Sequence, residues 1–478
     1  MSTVTNQDAR LYNSDLAPTP DEKKNWGSFE IFNVWANDVQ SLFGYTLAAS
    51  LFLTYGLNGW VVFLAILLAG FFIMWLVNLS GKPSVQHGIP YPVFARVSMG
   101  VHGANFPAMV RGIVAMFWYG AQTYFASTAV ALLIKGVTGS SGSGDFLGMT
   151  NIDWISFIFV AVFQIILFWN GIDLIRKFLN FAGPAVYAVM IILMLTIWYK
   201  AGGGLLSEVG DIFSGVGSYE GGAFAAFLAI FGTMVAYFAA VVINFGDFAR
   251  FVKNEKEMKK GNLWGLPGNI FLFSFIALMV TAGTVAVFGE TLTNPTEIVA
   301  RVGNLGLTVI AAFAFFAATI GINMVANFVP PAYDLANLIP SKISFRTGGL
   351  ITSIVGFVIG AFWVSVISNI GMFPFVNTLG AILAPVYGIM IVDYYIIKKE
   401  NIDVNQLFST SSDGPYYYNG GWNQKAFVAW AIAGVFSVLT VWHPSLSALG
   451  GYAWIIGAAL GAILHFVMSG RKKAESQA

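Results

Sequence analysis

A single acidic residue stands in the middle of the first apolar segment of the chain. Asp38 lies in the stretch WANDVQS, which begins at residue 35. A charge at the centre of a bilayer costs about 2.5 to 3.5 kcal/mol on insertion scales, so something must compensate it. Asp38 is therefore either a group that carries a proton or balances a cation, or a structural acid that caps a broken helix or pairs with a distant base. Its neighbours Asn37, Gln40 and Ser41 either offer polar groups to a small ligand or satisfy unwound backbone.

Two further pairs of side chains are spaced four residues apart, so each pair shares one face of a helix. Trp118 and Gln122 combine a flat aromatic surface with an amide that both donates and accepts hydrogen bonds. This combination suits a planar heterocycle that carries N–H and C=O groups, although packing is the alternative use of such an aromatic. Asn323 and Asn327 form the second pair, which favours a polar lining over a lone interhelical hydrogen bond.

The composition places these residues in a membrane protein. Of the 478 residues, 57% are apolar and only 10% are charged, against about 25% charged in soluble domains. Segments that are apolar and long enough to cross a bilayer are predicted at residues 29–56, 59–79, 105–136, 152–171, 180–200, 223–247, 262–289, 304–338, 347–369, 376–397, 426–443 and 449–469. The net charge of +1 gives no reason to expect a nucleic-acid partner. The absence of cysteine excludes disulfides, thiolate metal sites and cysteine nucleophiles.

Three of the twelve segments contain features that interrupt a helix. The first has the polar centre around Asp38, and the sixth contains Gly232 and Thr233, which weaken a helix. The eighth runs into Pro330 and Pro331, which must end or kink it and release backbone carbonyls. The first and sixth segments are five apart, as a repeat of five helices requires, although no repeat is visible in the letters. Transporters with inverted repeats often bind their substrate where such helices are unwound.

The basic residues predict the orientation of the chain. Lys and Arg are favoured on the cytoplasmic side, and most of them lie together when both termini are placed there. We therefore expect a multi-pass protein of the plasma or inner cell membrane with both termini in the cytoplasm. Asp247, Asp334 and Asp393 fall near inner ends of segments, with Arg250 close to Asp247, and are expected to be interfacial charges or gate contacts.

Signals for an enzyme are weak. The four histidines are scattered, and no metal-binding or phosphate-binding motif is present. We expect no cofactor and no metal, and no obligate protein partner is evident. The expected partners are the lipid bilayer and a small-molecule substrate.

The sequence also resembles a known family, the nucleobase:cation symporters of the first class, which carry cytosine, uracil, purines, allantoin and hydantoins. The resemblance covers nearly the whole chain and rests on the motifs LYNSDLAP at 11–18, GIPYPVFAR at 88–96, FWYGAQT at 117–123, NFGDFARF at 244–251, GLPG at 265–268, NFVPPAYD at 327–334 and GIMIVDYY at 388–395. It implies an all-α integral membrane protein with twelve transmembrane helices, a five-plus-five inverted repeat of the LeuT-like type and two additional C-terminal helices. The implied divisions are a cytoplasmic N-terminal segment at 1–28, the two repeats at 29–200 and 223–397, a cytoplasmic loop at 398–425, the added helices at 426–469 and a cytoplasmic tail at 470–478.

The resemblance implies where the substrate binds. A flat ring is expected between aromatic side chains and against polar ones, and the matching positions are Trp118, Phe238, Tyr237, Gln122, Asn327, Ser41 and Gln40. Phe238 stands where hydantoin- and allantoin-type members have Trp, so its smaller ring favours a pyrimidine such as uracil. Ser41 is shorter than the Gln or Asn of the family at that position, and Gln40, Asn37 or a water molecule is the alternative contact.

The resemblance also implies a cation site. The family's sodium site joins backbone carbonyls, here at Asn37, Gln40 and Ala318, to two hydroxyl side chains, and those two positions are Gly321 and Ile322 in this chain. A hard cation needs several oxygen ligands, so the missing hydroxyls argue against tight sodium binding.

The expected function follows from these two sites. Asp38, which fungal proton-coupled relatives share, makes a co-transported proton the better hypothesis than Na⁺. We expect secondary active uptake of a uracil-like ring first, and of allantoin or a hydantoin next. The alternatives are an amino-acid or other small-solute symporter of the same fold and, less well supported, an integral membrane enzyme.

Overall fold

The chain is built from helices throughout its described part. The computed structural model describes residues 8–202, 205, 209–219 and 221–475, and the remaining residues of the predicted terminal segments lie outside these ranges. The α-helices are α1 Ser28–Val39, α2 Leu42–Thr54, α3 Gly59–His87, α4 Tyr91–Met99, α5 Asn105–Thr138, α6 Asn151–Trp169, α7 Ile172–Ala201, α8 Gly222–Tyr237, α9 Ala239–Asn244, α10 Gly246–Ala249, α11 Glu255–Phe288, α12 Pro295–Val302, α13 Leu305–Ile322, α14 Val329–Leu338, α15 Phe345–Ala361, α16 Met372–Val392, α17 Gln424–Trp442 and α18 Ala453–Glu475. Two π-helical segments, Asn323–Phe328 and Asp393–Ile397, follow α13 and α16. Short 3₁₀ helices are Asp21–Lys23, Asp211–Phe213, Ile367–Ile370, Asn405–Phe408 and Pro444–Tyr452.

These helices form the twelve predicted spans. Among the described residues, eight helices are long and apolar enough to cross a membrane. The other four spans are the pair α1–α2, the long helix α5, the series α8–α10, and α15. Large apolar side chains such as Phe181, Phe224 and Trp264 are exposed on the outside of the bundle, as a lipid-facing surface requires.

Some helix ends differ from the predicted segments because helices continue beyond the apolar region. The fifth span was predicted from residue 180, but α7 begins at Ile172 and its first turns carry Asp173, Arg176 and Lys177. Arg and Lys are good helix formers, so charge at a helix end marks the membrane boundary and leaves the helix intact. The short helices α4 and α12 lie between predicted spans, in segments for which no structure was predicted.

The first and sixth spans are both interrupted, as predicted, but Gly232 and Thr233, the predicted weak point of the sixth, lie inside the continuous helix α8. Gln40 and Ser41 are extended between α1 and α2, and the Ser41 side-chain oxygen caps α2 by accepting the Gly44 N–H at 2.8 Å. The sixth span breaks at Phe238, which joins α8 to α9 with a non-helical backbone (φ −87°, ψ 0°). Backbone groups are therefore released at two places inside the bundle.

The eighth span is interrupted in a different way. It changes from α-helix to π-helix over Asn323–Phe328 and returns to α-helix at α14. Pro330 and Pro331 have no N–H, so the Ala326 carbonyl, four and five residues earlier, has no donor in either an α- or a π-helical pattern. The predicted release of carbonyls is confirmed, and it takes the form of a π-helical turn.

The last two helices pack beside the tenth span. α18 lies so close to α16 that a side chain at Gly388 would meet the Ala458 carbonyl. At the inner end of this contact, His465 Nε2 and Asp393 Oδ1 are 2.9 Å apart. These two helices are joined to the rest of the bundle mainly through α16, and the segment before α18 also contacts α8 of the sixth span, where the Tyr452 hydroxyl donates to the Ala225 carbonyl at 2.8 Å.

Candidate functional site

A small cavity lies where the three interrupted spans meet α5. Its lining residues are Asp38 from α1, Trp118 and Gln122 from α5, Tyr237, Phe238, Ala240 and Val241 around the break in the sixth span, and Ile322, Ala326 and Asn327 around the π-helical turn. The cavity measures ≈20 Å³, enough for one water molecule and too small for a heterocycle. A ring-shaped ligand can therefore enter only after the aromatic walls have moved apart.

Aromatic side chains fill the space beside the cavity. Trp118 packs edge-on against Phe43, Tyr237 and Phe375, with ring centroids 5.0, 5.6 and 5.0 Å away. Tyr237 is also edge-on to Phe238, at 5.0 Å. Tyr237 therefore contacts both Trp118 and Phe238. Phe43 and Phe375 were missed at the sequence level, because nothing in the sequence distinguishes them from the other phenylalanines.

The side-chain amide of Gln122 is a polar group in the cavity lining whose hydrogen bonds are incomplete. Its side chain is fully buried, the Tyr237 hydroxyl lies near it, and neither Oε1 nor Nε2 has a partner with hydrogen-bond geometry. A buried polar group without a partner costs about 1 to 3 kcal/mol. The amide lines the cavity, so a ligand that offers both an N–H and a C=O would satisfy both of its atoms.

Asn327 is oriented by a chain of amides behind it. Its Nδ2 donates to Asn323 Oδ1 at 3.0 Å, and Asn323 Nδ2 donates to Gln164 Oε1 at 2.6 Å and to Thr123 Oγ1 at 3.1 Å. Gln164 Nε2 also donates to Thr123 Oγ1, at 3.1 Å. Of the predicted pair, only Asn327 lines the cavity, while Asn323 fixes its orientation. Gln164 and Thr123 were missed, since Gln164 belongs to no motif and Thr123, the last residue of FWYGAQT, has no feature that marks it as an amide partner.

The polar residues at the break of the first span point away from the cavity. Ser41 is hydrogen-bonded to the Tyr237 hydroxyl at 3.3 Å in addition to capping α2. Gln40 Nε2 donates to the Gly183 carbonyl of α7 at 3.3 Å. The structure therefore places both side chains next to the walls and neither in the cavity lining.

Asp38 lines the cavity and lies within electrostatic range of Arg111, a buried residue. Its side chain is buried, and the Arg111 guanidinium of α5 attracts it electrostatically. Arg111 is fully buried, although it was counted only among the basic residues that set orientation. The spacing in the sequence indicates its position. Arg111 precedes Trp118 by seven residues, or two helical turns, so both lie on the same face of α5.

The expected interfacial position of three other acids is wrong. Asp247 and Asp334 are fully buried and Asp393 nearly so, because α4, α10, α14 and α18 cover them. Asp247 accepts the Tyr91 N–H at 2.8 Å, whereas neither carboxylate oxygen of Asp334 has a partner. A role for these acids in a gate stays a prediction.

Arg250 does not pair with Asp247 as its position in the sequence suggested. Its guanidinium donates to Thr19 Oγ1 at 2.7 Å, to the Asp15 carbonyl at 3.0 Å and to the Ala17 carbonyl. It thereby holds the N-terminal segment against the inner end of the bundle.

At the candidate cation site, an amide oxygen lies beside Gly321, one of the two positions at which the family has hydroxyl side chains. Asn37 Nδ2 donates to the carbonyls of Asn33 (2.7 Å) and Leu179 (2.8 Å), which turns Oδ1 towards α13. This unpartnered oxygen fills the space beside Gly321, where a side-chain atom would lie only 2.2 Å from it. Gln40 Oε1 is also buried without a partner. Ala318 is buried on α13.

One of the two replaced hydroxyl positions faces elsewhere. Ile322 lines the substrate cavity. The neighbouring Thr319 hydroxyl accepts the Leu42 N–H at 3.4 Å and so supports the start of α2.

Twelve spans, broken first and sixth helices and a buried polar and aromatic cavity between them define a multi-pass membrane transporter of the LeuT-like fold. The sequence profile of a family described as "Permease for cytosine/purines, uracil, thiamine, allantoin" matches residues 18–462. The chain belongs to this family. The resemblance seen in the motifs is confirmed, and the protein is a permease, which excludes the membrane enzyme.

Individual relatives and solved structures agree with this assignment. The allantoin permease of Bacillus subtilis (strain 168) is 32% identical over 468 residues, covering 97% of this chain and 94% of the relative. The purine-uracil permease NCS1 of Arabidopsis thaliana is 30% identical over 446 residues, covering 92% and 73%. Among solved structures, the nucleobase-cation-symport-1 family transporter Mhp1, in a closed conformation with bromovinylhydantoin bound, has a TM-score of 0.82 at 22% identity, covering 98% of this chain and 96% of Mhp1. The inward-facing conformation of Mhp1 has a TM-score of 0.77 at 23% identity, covering 97% and 96%.

Proposed function

We propose that this permease imports a flat nucleobase or ureide ring by secondary active transport, with uracil as the first choice and allantoin or a hydantoin next. The observation that carries the proposal is the Gln122 amide, which is buried without partners in a cavity walled by Trp118 and Phe238. Uracil and the ureides all carry neighbouring N–H and C=O groups that match such an amide. The oriented Asn327 offers a second polar contact in the cavity lining.

A ligand screen tests the substrate class. The purified protein is heated with uracil, cytosine, thymine, xanthine, allantoin or hydantoins, and with amino acids as the comparison set. A ligand that binds only the folded state raises the melting temperature. We expect uracil or a ureide to do so and amino acids to have no effect, whereas stabilisation by amino acids alone would favour the alternative symporter.

Replacing Gln122 with leucine separates binding from folding. Because both polar atoms of Gln122 lack partners, Q122L should leave the melting temperature of the ligand-free protein unchanged or higher. The affinity for the ring should fall by about 10- to 100-fold, since the ligand loses both hydrogen-bond partners. Thermal unfolding and uptake kinetics measure the two effects.

Gln164 provides the matched control for that substitution. It is equally buried, but Thr123 and Asn323 satisfy its amide. Q164L should therefore destabilise the ligand-free protein. The proposal for Gln122 is contradicted if Q122L loses as much stability as Q164L, or if it binds the ring as tightly as the wild type.

Replacing Phe238 with tryptophan should change the choice of substrate. Indole offers more stacking area and an N–H donor, so F238W should shift the ratio of allantoin to uracil affinity by about tenfold towards allantoin. Competition against labelled uracil measures this ratio. Phe231, in the same span but packed against Phe72 and absent from the cavity lining, supplies the control. An unchanged ratio in F238W, or an equal shift in F231W, contradicts the assigned role.

We further propose that uptake is coupled to protons through Asp38, in a protein of the plasma or inner cell membrane with both termini in the cytoplasm. The proposal is supported by the place of Asp38 in the cavity wall and by the distribution of Lys and Arg along the chain. The proposed repeats are residues 29–200 and 223–397, each of which begins with one of the interrupted spans. Sodium remains the competing ion because of the unpartnered amide oxygen of Asn37.

A further inference from the structure

The buried arginine of α5 contacts two of the three interrupted spans that line the cavity, the sixth and the eighth. Arg111 Nε donates to the Ala240 carbonyl at 3.2 Å and to Asn244 Oδ1 at 3.1 Å, just after the break at Phe238. Its Nη2 donates to the Ala326 carbonyl, one residue before Asn327. Ala240 and Ala326 themselves line the cavity. A single guanidinium thus joins two backbone segments, from two different spans, that both form part of the wall.

The sequence explains why the eighth span needs this donor. The Ala326 carbonyl cannot be satisfied within its helix, because the residues that would donate to it are Pro330 and Pro331. An unpartnered carbonyl at this depth costs several kcal/mol, since no bulk water reaches it. Arg111 supplies the missing donor from another helix, and the π-helical turn that presents Asn327 depends on it.

The orientation of the guanidinium is itself supported. Asn244 Nδ2 donates to Asp247 Oδ2 at 3.2 Å, which turns Asn244 Oδ1 towards Arg111 Nε. Asp38, Asp247 and Asp334 surround Arg111 and attract its charge. The planar fork of an arginine fixes two acceptors at a set separation, which a lysine cannot do.

We propose that Arg111 is a positioning residue of the substrate site, whose guanidinium sets the separation between Phe238 in the sixth span and Asn327 in the eighth. This inference rests on the proposed function, because it takes the cavity to be the binding site of the transported ring. Arg111 reaches the ring only through the two carbonyls, so its removal should change affinity by reshaping the wall.

Arg96 provides a closely matched control. It is also fully buried and donates to two backbone carbonyls, those of Leu407 and Leu11, and to one asparagine oxygen, Asn337 Oδ1. It lies outside the cavity lining. Arg96→Lys therefore removes the same kind of contacts at a place where no substrate binds.

The experiment compares uptake of labelled uracil by the wild type, R111K and R96K, each scaled to the amount of folded transporter. We expect R111K to raise KM by about tenfold or more, with a smaller change in turnover, and R96K to lower the folded amount while leaving KM unchanged. Asn244→Ala keeps the arginine but removes one acceptor, and should raise KM by about threefold. If R111K does not fold, the KM of N244A tests the positioning role instead. Wild-type KM in both R111K and N244A, or an equal rise in R96K, overturns the proposal.

A second measurement separates this inference from the proposed function. If the wild type takes up none of the rings, the proposed substrate class fails, and amide hydrogen exchange then decides the role of Arg111. We expect R111K to increase exchange in peptides that cover residues 237–244 and 323–328, and R96K to leave both peptides unchanged. Unchanged exchange in R111K would overturn the positioning role.

Discussion

Replacing Trp118 with alanine will abolish saturable uptake of the ring substrate while the transporter still folds. Trp118 is the largest flat surface in the cavity lining, and a base stacked on an aromatic side chain gains about 1 to 3 kcal/mol. Its loss also leaves Phe43, Tyr237 and Phe375 free to collapse into the space that the ring must occupy. Uptake as a function of substrate concentration, scaled to the folded amount, measures the effect. Trp118→Phe should retain uptake with reduced affinity.

The variant Trp363→Ala tests whether a loss of uptake is specific to residues that line the cavity. Trp363 belongs to the same aromatic cluster and packs edge-on against Phe375 at 5.3 Å and Phe125 at 5.8 Å, but it does not line the cavity. Trp363→Ala should therefore lower stability and preserve saturable uptake. Normal uptake by W118A, or equal loss in W363A, would show that Trp118 is only a packing residue.

Replacing Asp38 with asparagine will remove the ability of a pH gradient to drive accumulation. The substitution keeps the shape of the side chain but removes both its charge and its capacity to bind a proton at the cavity wall. A gradient of one pH unit supplies about 1.4 kcal/mol per proton, which supports about a tenfold accumulation ratio. With an imposed gradient and no sodium, the wild type should reach such a ratio. D38N should only equilibrate the substrate across the membrane.

Uptake driven by a sodium gradient, compared with uptake driven by a pH gradient, decides which of the two ions is co-transported. Asp153 of α6, which pairs with Lys135 at 2.8 Å away from the cavity, gives a matched acid-to-amide control, and D153N should keep its response to pH. If a sodium gradient alone drives concentrative uptake at fixed pH, the proton hypothesis is wrong. In that case the unpartnered Asn37 Oδ1 beside Gly321 becomes the first group to test as a cation ligand.

The sequence was sufficient to predict the features that depend on local composition and spacing. Apolar length located the spans, and polar residues and prolines located the interruptions of the first and eighth; the sixth is interrupted at Phe238, five residues beyond the predicted Thr233. The spacing of Trp118 and Gln122 placed both on one face of α5, and the structure puts both in the cavity lining. These inferences hold because helix geometry alone decides which residues share a face.

The remaining features depend on which helices meet, and spacing does not specify this. Asn323 and Asn327 share a face, yet only the position of α6 makes Asn323 a partner of Gln164 while Asn327 lines the cavity. Gln40 lies two residues after Asp38 in the chain, but its side chain donates a hydrogen bond to a carbonyl of α7. Arg111 looked like a residue that sets orientation, because its carbonyl partners are more than a hundred residues away.

Counterflow with the purified protein tests whether the cavity carries a nucleobase or ureide ring. Proteoliposomes loaded with unlabelled uracil are diluted into labelled uracil at equal pH and without sodium, and the label inside is identified chemically. We expect a transient, saturable accumulation of unchanged labelled uracil in the wild type, inhibited by excess allantoin or hydantoin and absent in W118A. If no nucleobase or ureide exchanges while a labelled amino acid such as leucine does, the protein is not a carrier of these rings.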